Sequence, residues 1–93
     1  MNADDMLSLL GDEYTQRVLR AVVERPRTGR EIQDVAGVSK PTVYRRLDSL
    51  EEAGLVSADL ELDPNGHHRK QYRAVADRIH VELDGTNFDL HVR

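Results

Sequence analysis

Residues Thr28–Leu55, TGREIQDVAGVSKPTVYRRLDSLEEAGL, read as two helices separated by a tight turn. Thr28 and Glu31 have the spacing of a capping box, in which each side chain satisfies a backbone amide of the other residue. The helix they open is predicted to run to about Ala36, because Gly37 reaches the left-handed conformation without a Cβ clash and ends a helix sharply. Ser39 is placed to cap the next helix. Pro41 falls in that helix's first turn, where a missing amide donor costs nothing. Val43, Leu47 and Leu50 then recur at the spacing of one buried face, and Gly54 stops the helix. At about 100° per residue, Pro41, Thr42 and Arg45 point away from that face; Lys40 and Tyr44 lie on one flank and Arg46 on the other.

The sign of charge changes along this second helix. Lys40, Arg45 and Arg46 occupy its N-terminal half, and Asp48, Glu51 and Glu52 its C-terminal half. An anion-facing surface is therefore expected only at the helix start, where the helix dipole also favours negative charge.

The run Ser39–Val56, SKPTVYRRLDSLEEAGLV, resembles the recognition helix and helix exit of winged helix-turn-helix transcription regulators of the ArsR and MarR kind. The resemblance extends over roughly residues 12–75. It implies an α+β fold and a double-stranded DNA partner, with Lys40, Thr42, Tyr44 and Arg45 contacting bases from a surface that Pro41 shares. It also implies phosphate contacts by Ser39 and Arg46, with a further one from Thr28 or Arg30 at the preceding helix start. Regulators of this kind read palindromic operators as homodimers, so a homodimer is expected.

After Gly54 the period changes from helical to two. Val56, Ala58, Leu60 and Leu62 share one side and Ser57, Asp59, Glu61 and Asp63 the other, as in a half-buried strand. Pro64-Asn65-Gly66 supplies turn chemistry, and a strand from about Arg69 to Val75 returns, forming a wing. Its tip carries His67, His68, Arg69 and Lys70, a basic arm suited to the DNA backbone or a minor groove.

Outside this unit, Asp4–Leu10 is expected to be a short helix with Met6, Leu7 and Leu10 on one side, folded onto the domain or packed on a second copy. Glu13–Glu24 forms a longer helix whose buried face is read as Tyr14, Val18, Leu19, Val22 and Val23. Pro26 ends it, and Arg25 and Arg27 lie in the connection.

Arg78–Arg93, RIHVELDGTNFDLHVR, alternates on both sides of a turn, which predicts an additional C-terminal β-hairpin. An Asp84-Gly85 turn, the favoured reading, sets Val81 opposite Phe88 and His80 opposite Asp89. A Gly85-Thr86 turn instead opposes Glu82 to Asp89 and His80 to His91, which is less favourable unless a metal joins the histidines. The apolar face must cover the domain or meet another subunit. Such regulators usually carry a C-terminal dimerisation helix, which this sequence lacks; the hairpin and leading helix are the expected interface. The whole reads as one domain, 1–93, comprising a leading helix to residue 11, a helical core over 12–55, a wing over 56–75 and a hairpin over 78–93.

The chain has 17 acidic and 13 basic residues and a formal charge of −4, whereas a DNA-binding domain is usually basic. Clustering of the cations on one surface removes the conflict. The small share of Lys and the abundance of acids also resemble cytoplasmic proteins of halophilic archaea. In molar salt, charges are screened within about 3 Å and counterion release from DNA contributes less.

The chain has no Cys, which excludes disulfides and thiolate metal sites. Its four His residues lack the spacing of a preformed metal site with enough ligands. No cofactor, metal or catalytic motif is expected. Without an apolar run of membrane length, a cytoplasmic protein is expected. The sequence thus predicts a sequence-specific DNA-binding transcription regulator. The alternative is a protein-binding winged-helix module of a transcription or replication assembly, and the basic helix start favours DNA.

Overall fold

The computed structural model describes all residues, Met1–Arg93. Four helices, α1 (Ala3–Leu10), α2 (Glu13–Glu24), α3 (Gly29–Ala36) and α4 (Lys40–Glu52), are combined with five strands, β1 (Arg27–Thr28), β2 (Val56–Leu62), β3 (His68–Ala74), β4 (Ile79–Asp84) and β5 (Asn87–Val92). The architecture is α+β. All strand pairs are antiparallel, in one sheet of order β1-β3-β2 and a separate β4-β5 hairpin.

The α3–turn–α4 unit forms as its sequence requires. Glu31 N–H donates to Thr28 Oγ1 at 3.3 Å and Thr28 N–H donates to Glu31 Oε1 at 3.1 Å, closing the capping box. Gly37 ends α3 at φ 65°, a conformation that costs most residues a Cβ clash. Ser39 takes the N-cap position of α4, but its side chain makes no cap hydrogen bond. Its hydroxyl donates to Thr42 Oγ1 at 3.1 Å instead.

The helices enclose a core of Val18, Val22, Ile32, Val43, Leu47 and Leu50, closed by Leu55, Val56 and Tyr72 from the sheet side. In α2 the buried face is Thr15, Val18, Ala21 and Val22, whereas Tyr14 and Val23 are 45% and 61% exposed. Counting large apolar residues alone misplaces this face. Thr15 can be buried because its hydroxyl donates to Asp12 Oδ2 at 3.0 Å, leaving no orphaned donor. The leading helix folds onto its own domain: Met6 is buried in the core, Leu9 and Leu10 pack against it, and Leu7 stays exposed.

The short strand β1 falls where the sequence suggested only a connection. Arg27 pairs with Tyr72 of β3. Its buried guanidinium donates from Nε to the Ala21 carbonyl at 2.8 Å and reaches Glu24 at 3.1 Å. A buried cation is tolerated when it is paired in this way.

The β2-β3 wing is buried only at its root. Val56 is enclosed and Ala58 partly so, but Leu60 and Leu62, expected on a half-buried face, are 61% and 68% exposed. The radius of gyration is 14.5 Å, against about 12 Å for a compact domain of this length.

In the C-terminal hairpin the favoured register is replaced by the other one. Asp84 pairs with Asn87, Leu83 with Phe88, Glu82 with Asp89, Val81 with Leu90, His80 with His91 and Ile79 with Val92, around a Gly85-Thr86 turn. This register aligns all three apolar pairs. An Asp84-Gly85 turn would set Leu83 against Thr86 and Val92 against Asp77. Gly85, at φ 62°, supplies the positive φ that such a tight turn needs. Ile79 and Leu90 pack against the core and α1 lies along β5, whereas Leu83 and Phe88 remain 78% and 44% exposed. No helix is long and apolar enough to cross a membrane.

Candidate nucleic-acid interface

The start of α4 presents Lys40, Pro41, Tyr44 and Arg45 as exposed residues, with Thr42 partly covered and Val43 and Leu47 turned into the core. Neither Lys40 nor Arg45 has an acidic partner within ion-pair distance. Asp48, Glu51 and Glu52 follow only from the third turn onward, so the cationic surface is local to the helix start.

Beside it lies a cleft of about 450 Å³ lined by Thr28, Gly29, Arg30 and Glu31 at the start of α3, Tyr44 of α4, and His68, Arg69, Lys70 and Tyr72 of β3, so that one carboxylate, Glu31, shares the wall with the cations. Three elements meet there: the beginning of α3, the flank of α4 and the returning wing strand β3. Lys40, four residues before Tyr44, continues the same flank. Lys70 is free of acidic partners; Arg69 stands 4.0 Å from Asp63 and Arg30 3.8 Å from Asp34, both loose, exposed pairs. His67 sits in the exposed wing turn ahead of His68, where Asp63 N–H donates to the His67 carbonyl at 2.9 Å and Asn65 N–H to Asp63 Oδ1 at 2.9 Å.

Three residues expected to contact DNA also make contacts within the domain. Arg46 is turned inward: its Nε donates to Asp12 Oδ2 at 2.8 Å, and both side chains are largely covered. Thr28 is buried and its oxygen is used by the capping box. Tyr44, 36% exposed, stands edge-on to Tyr72 at 6.5 Å between ring centroids and lies over Gly29. A Cβ at Gly29 would come within 2.6 Å of Tyr44 Cζ, so the glycine makes room for the ring.

Two carboxyls are held below their ordinary range. Asp12 is lowered mainly by the Thr15 amide and then by Arg46, and Glu31 mainly by the Thr28 amide. The Tyr72 hydroxyl is pushed up, chiefly by burial, with Glu51, Tyr44 and Asp48 adding to it, so it stays neutral. Gly29, Tyr72 and Asp12 went unnoticed in the sequence. Asp12 and Arg46 are 34 residues apart, and no local pattern announces such a pair.

Fold and site together define an α+β domain of four helices and antiparallel strands, with a cleft rich in basic residues between α4 and the β2-β3 hairpin. The chain belongs to the HVO_A0261 N-terminal domain family, whose model matches residues 3–65. No curated protein matches it. Among solved structures it is similar to diamide-treated YodB from B. subtilis, with a TM-score of 0.68 and 19% identity over 77% of this chain and 70% of that one. At that identity the likeness is one of fold.

Proposed function

We propose that this chain is a winged helix-turn-helix, sequence-specific DNA-binding transcription regulator of the ArsR/MarR kind. In this reading the start of α4 enters the major groove. Lys40, Thr42 and Arg45 meet base edges, and Pro41 and Ser39 lie along the same approach. Arg30, His68, Arg69 and Lys70 hold the adjoining backbone or minor groove, and His67 extends the wing tip toward it. Tyr44 borders both surfaces. The observation that carries the reading is the gathering of Lys40, Arg45 and Lys70, none with an acidic partner within ion-pair distance, beside the loosely paired Arg30 and Arg69 in an otherwise acidic domain. A neutral or acidic helix start would have no such use.

A homodimer on a palindromic operator belongs to the same proposal. The elongated shape and the exposed Leu7, Leu83 and Phe88 support it, because a two-fold interface needs an apolar patch that can face itself. The acidic balance and scarce Lys support a halophilic setting, in which binding depends on hydrogen bonds and shape more than on counterion release. Nothing in the proposal calls for catalysis or a cofactor.

A second reading, a protein-binding winged-helix module, draws on one observation: Leu60 and Leu62 expose apolar surface on the wing. Genome-wide mapping of the tagged protein, followed by binding to the enriched duplex across a salt series, decides between them. Enrichment of defined duplexes supports the regulator. Absence of binding to any duplex, with retention by a protein partner, overturns it.

A further inference from the structure

The hairpin register opposes His80 to His91 and, two residues nearer the turn, Glu82 to Asp89. All four side chains share the polar face, opposite the apolar face that Ile79 and Leu90 turn to the core. Reciprocal hydrogen bonds between Arg78 and Arg93 mark the hydrogen-bonded phase of the ladder. Counting in twos, His80/His91 and Glu82/Asp89 are hydrogen-bonded pairs as well, with Cα atoms about 5.5 Å apart across the strands and nearly 7 Å apart along them.

Two like carboxylates directly opposite each other are unfavourable, and Asp84 extends the same face. His80 stands 3.7 Å from Glu82, and the two imidazole rings meet edge to face at 6.3 Å between centroids. A lone imidazole pair gives neither partner a strong interaction. A cation held by both rings would offset the carboxylate repulsion and bind the strands together.

We infer that the His80–His91 pair anchors a divalent transition-metal site on the polar face of the C-terminal hairpin, with Glu82, Asp89 or water completing the coordination. As the rotamers stand, no three such side chains converge. The site therefore forms by side-chain rotation on a fixed backbone. The His80 and Glu82 side chains are 62% and 57% exposed and His91 and Asp89 are likewise on the surface, so the rotation is unobstructed. Metal–imidazole bonds of about 2.0–2.1 Å need the two ligating nitrogens slightly over 3 Å apart, within reach of directly opposed residues. Imidazole with carboxylate selects Zn²⁺, Ni²⁺, Co²⁺ or Cu²⁺ over Mg²⁺ and Ca²⁺. Bound metal would brace a two-stranded hairpin that is marginal by itself.

The test uses tag-free full-length chain, freed of metal by chelation and titrated with Zn²⁺ and Ni²⁺ in a calorimeter, while amide shifts are followed by NMR. One ion per chain is expected, with shifts concentrated in residues 79–92. His80→Asn and His91→Asn should each lose binding, and the double variant His67→Asn/His68→Asn should keep it. The inference is overturned if no binding occurs, if binding survives loss of His80 or His91, if it follows the wing histidines, or if Mg²⁺ competes equally. The exposed positions of His80 and His91 leave the fold intact on substitution, which the same spectra verify.

Discussion

Arg46 of α4 is joined to Asp12, the N-cap of α2, through a 2.8 Å hydrogen bond between Arg46 Nε and Asp12 Oδ2. Asp12 simultaneously accepts from the Thr15 amide at 2.9 Å. One carboxylate thus caps one helix and fixes the rotation of another, which governs how the start of α4 is presented.

This relationship separates two adjacent arginines. Under the proposed DNA-binding function, Arg45→Ala should leave the thermal midpoint nearly unchanged and weaken binding to a duplex enriched in genome-wide mapping by about 1–3 kcal/mol, with relaxed specificity at one base pair. Arg46→Ala should lower the thermal midpoint and weaken binding to the same duplex only through misplacement of the helix. Thermal denaturation and duplex titration of both variants check this. Equal loss of affinity without loss of stability in Arg46→Ala would mean that Arg46 contacts the duplex itself.

The same carboxylate gives stability a pH dependence. Asp12 and Glu31 both have folded values lowered from ordinary values of 3.8 and 4.5. Their contributions are fully present above those ordinary values and are lost as the pH falls through the lowered folded ones. Asp12→Asn retains an N-cap acceptor and removes only the charge. Its stability deficit relative to the natural chain should be greatest near neutrality and should shrink as the pH falls below about 4. Denaturant melts from pH 7 down to pH 2 measure this; a deficit constant over that range contradicts the assignment.

Local signals in the sequence were sufficient where structure depends on neighbours along the chain. Thr28 with Glu31, Gly37, Pro41 and the Val43-Leu47-Leu50 stripe determine the α3–α4 unit within a few residues, and Pro64-Asn65-Gly66 places the wing turn. What was illegible depends on residues distant in sequence. The inward turn of Arg46 needs Asp12, the placement of Tyr44 needs Gly29 and Tyr72, and β1 exists because Tyr72 and Gln71 of β3 lie beside Arg27 and Thr28. The hairpin register was decided by aligning three apolar pairs at once, which outweighed the turn preference of Asp84-Gly85.

The Gly29–Tyr44 contact makes a further variant informative. Gly29→Ala places a methyl group against the Tyr44 ring. The tip of the ring must then shift, and because Tyr44 is 36% exposed the cost should fall at or below the low end of the about 1–3 kcal/mol typical of overpacking in a closed core. Tyr44→Ala removes the obstruction, so the double variant should be more stable than the sum of the two single losses implies. Strict additivity in chemical denaturation would mean that the two residues do not share a packed site.

The hairpin register can be tested with cysteine pairs, and the absence of natural cysteines makes the assay clean. Leu83 and Phe88 are directly opposed, whereas an Asp84-Gly85 turn would oppose Leu83 to Thr86. Leu83→Cys with Phe88→Cys should oxidise readily to an intramolecular disulfide, because opposed strand residues bring their Cβ atoms close to the distance a disulfide spans. Leu83→Cys with Thr86→Cys should oxidise more slowly and to a less stable bridge. Thiol titration and mass measurement after mild oxidation give the ratio. If the second pair closes faster, the hairpin takes the other register in solution, His80 no longer faces His91, and the proposed metal site loses its geometric basis.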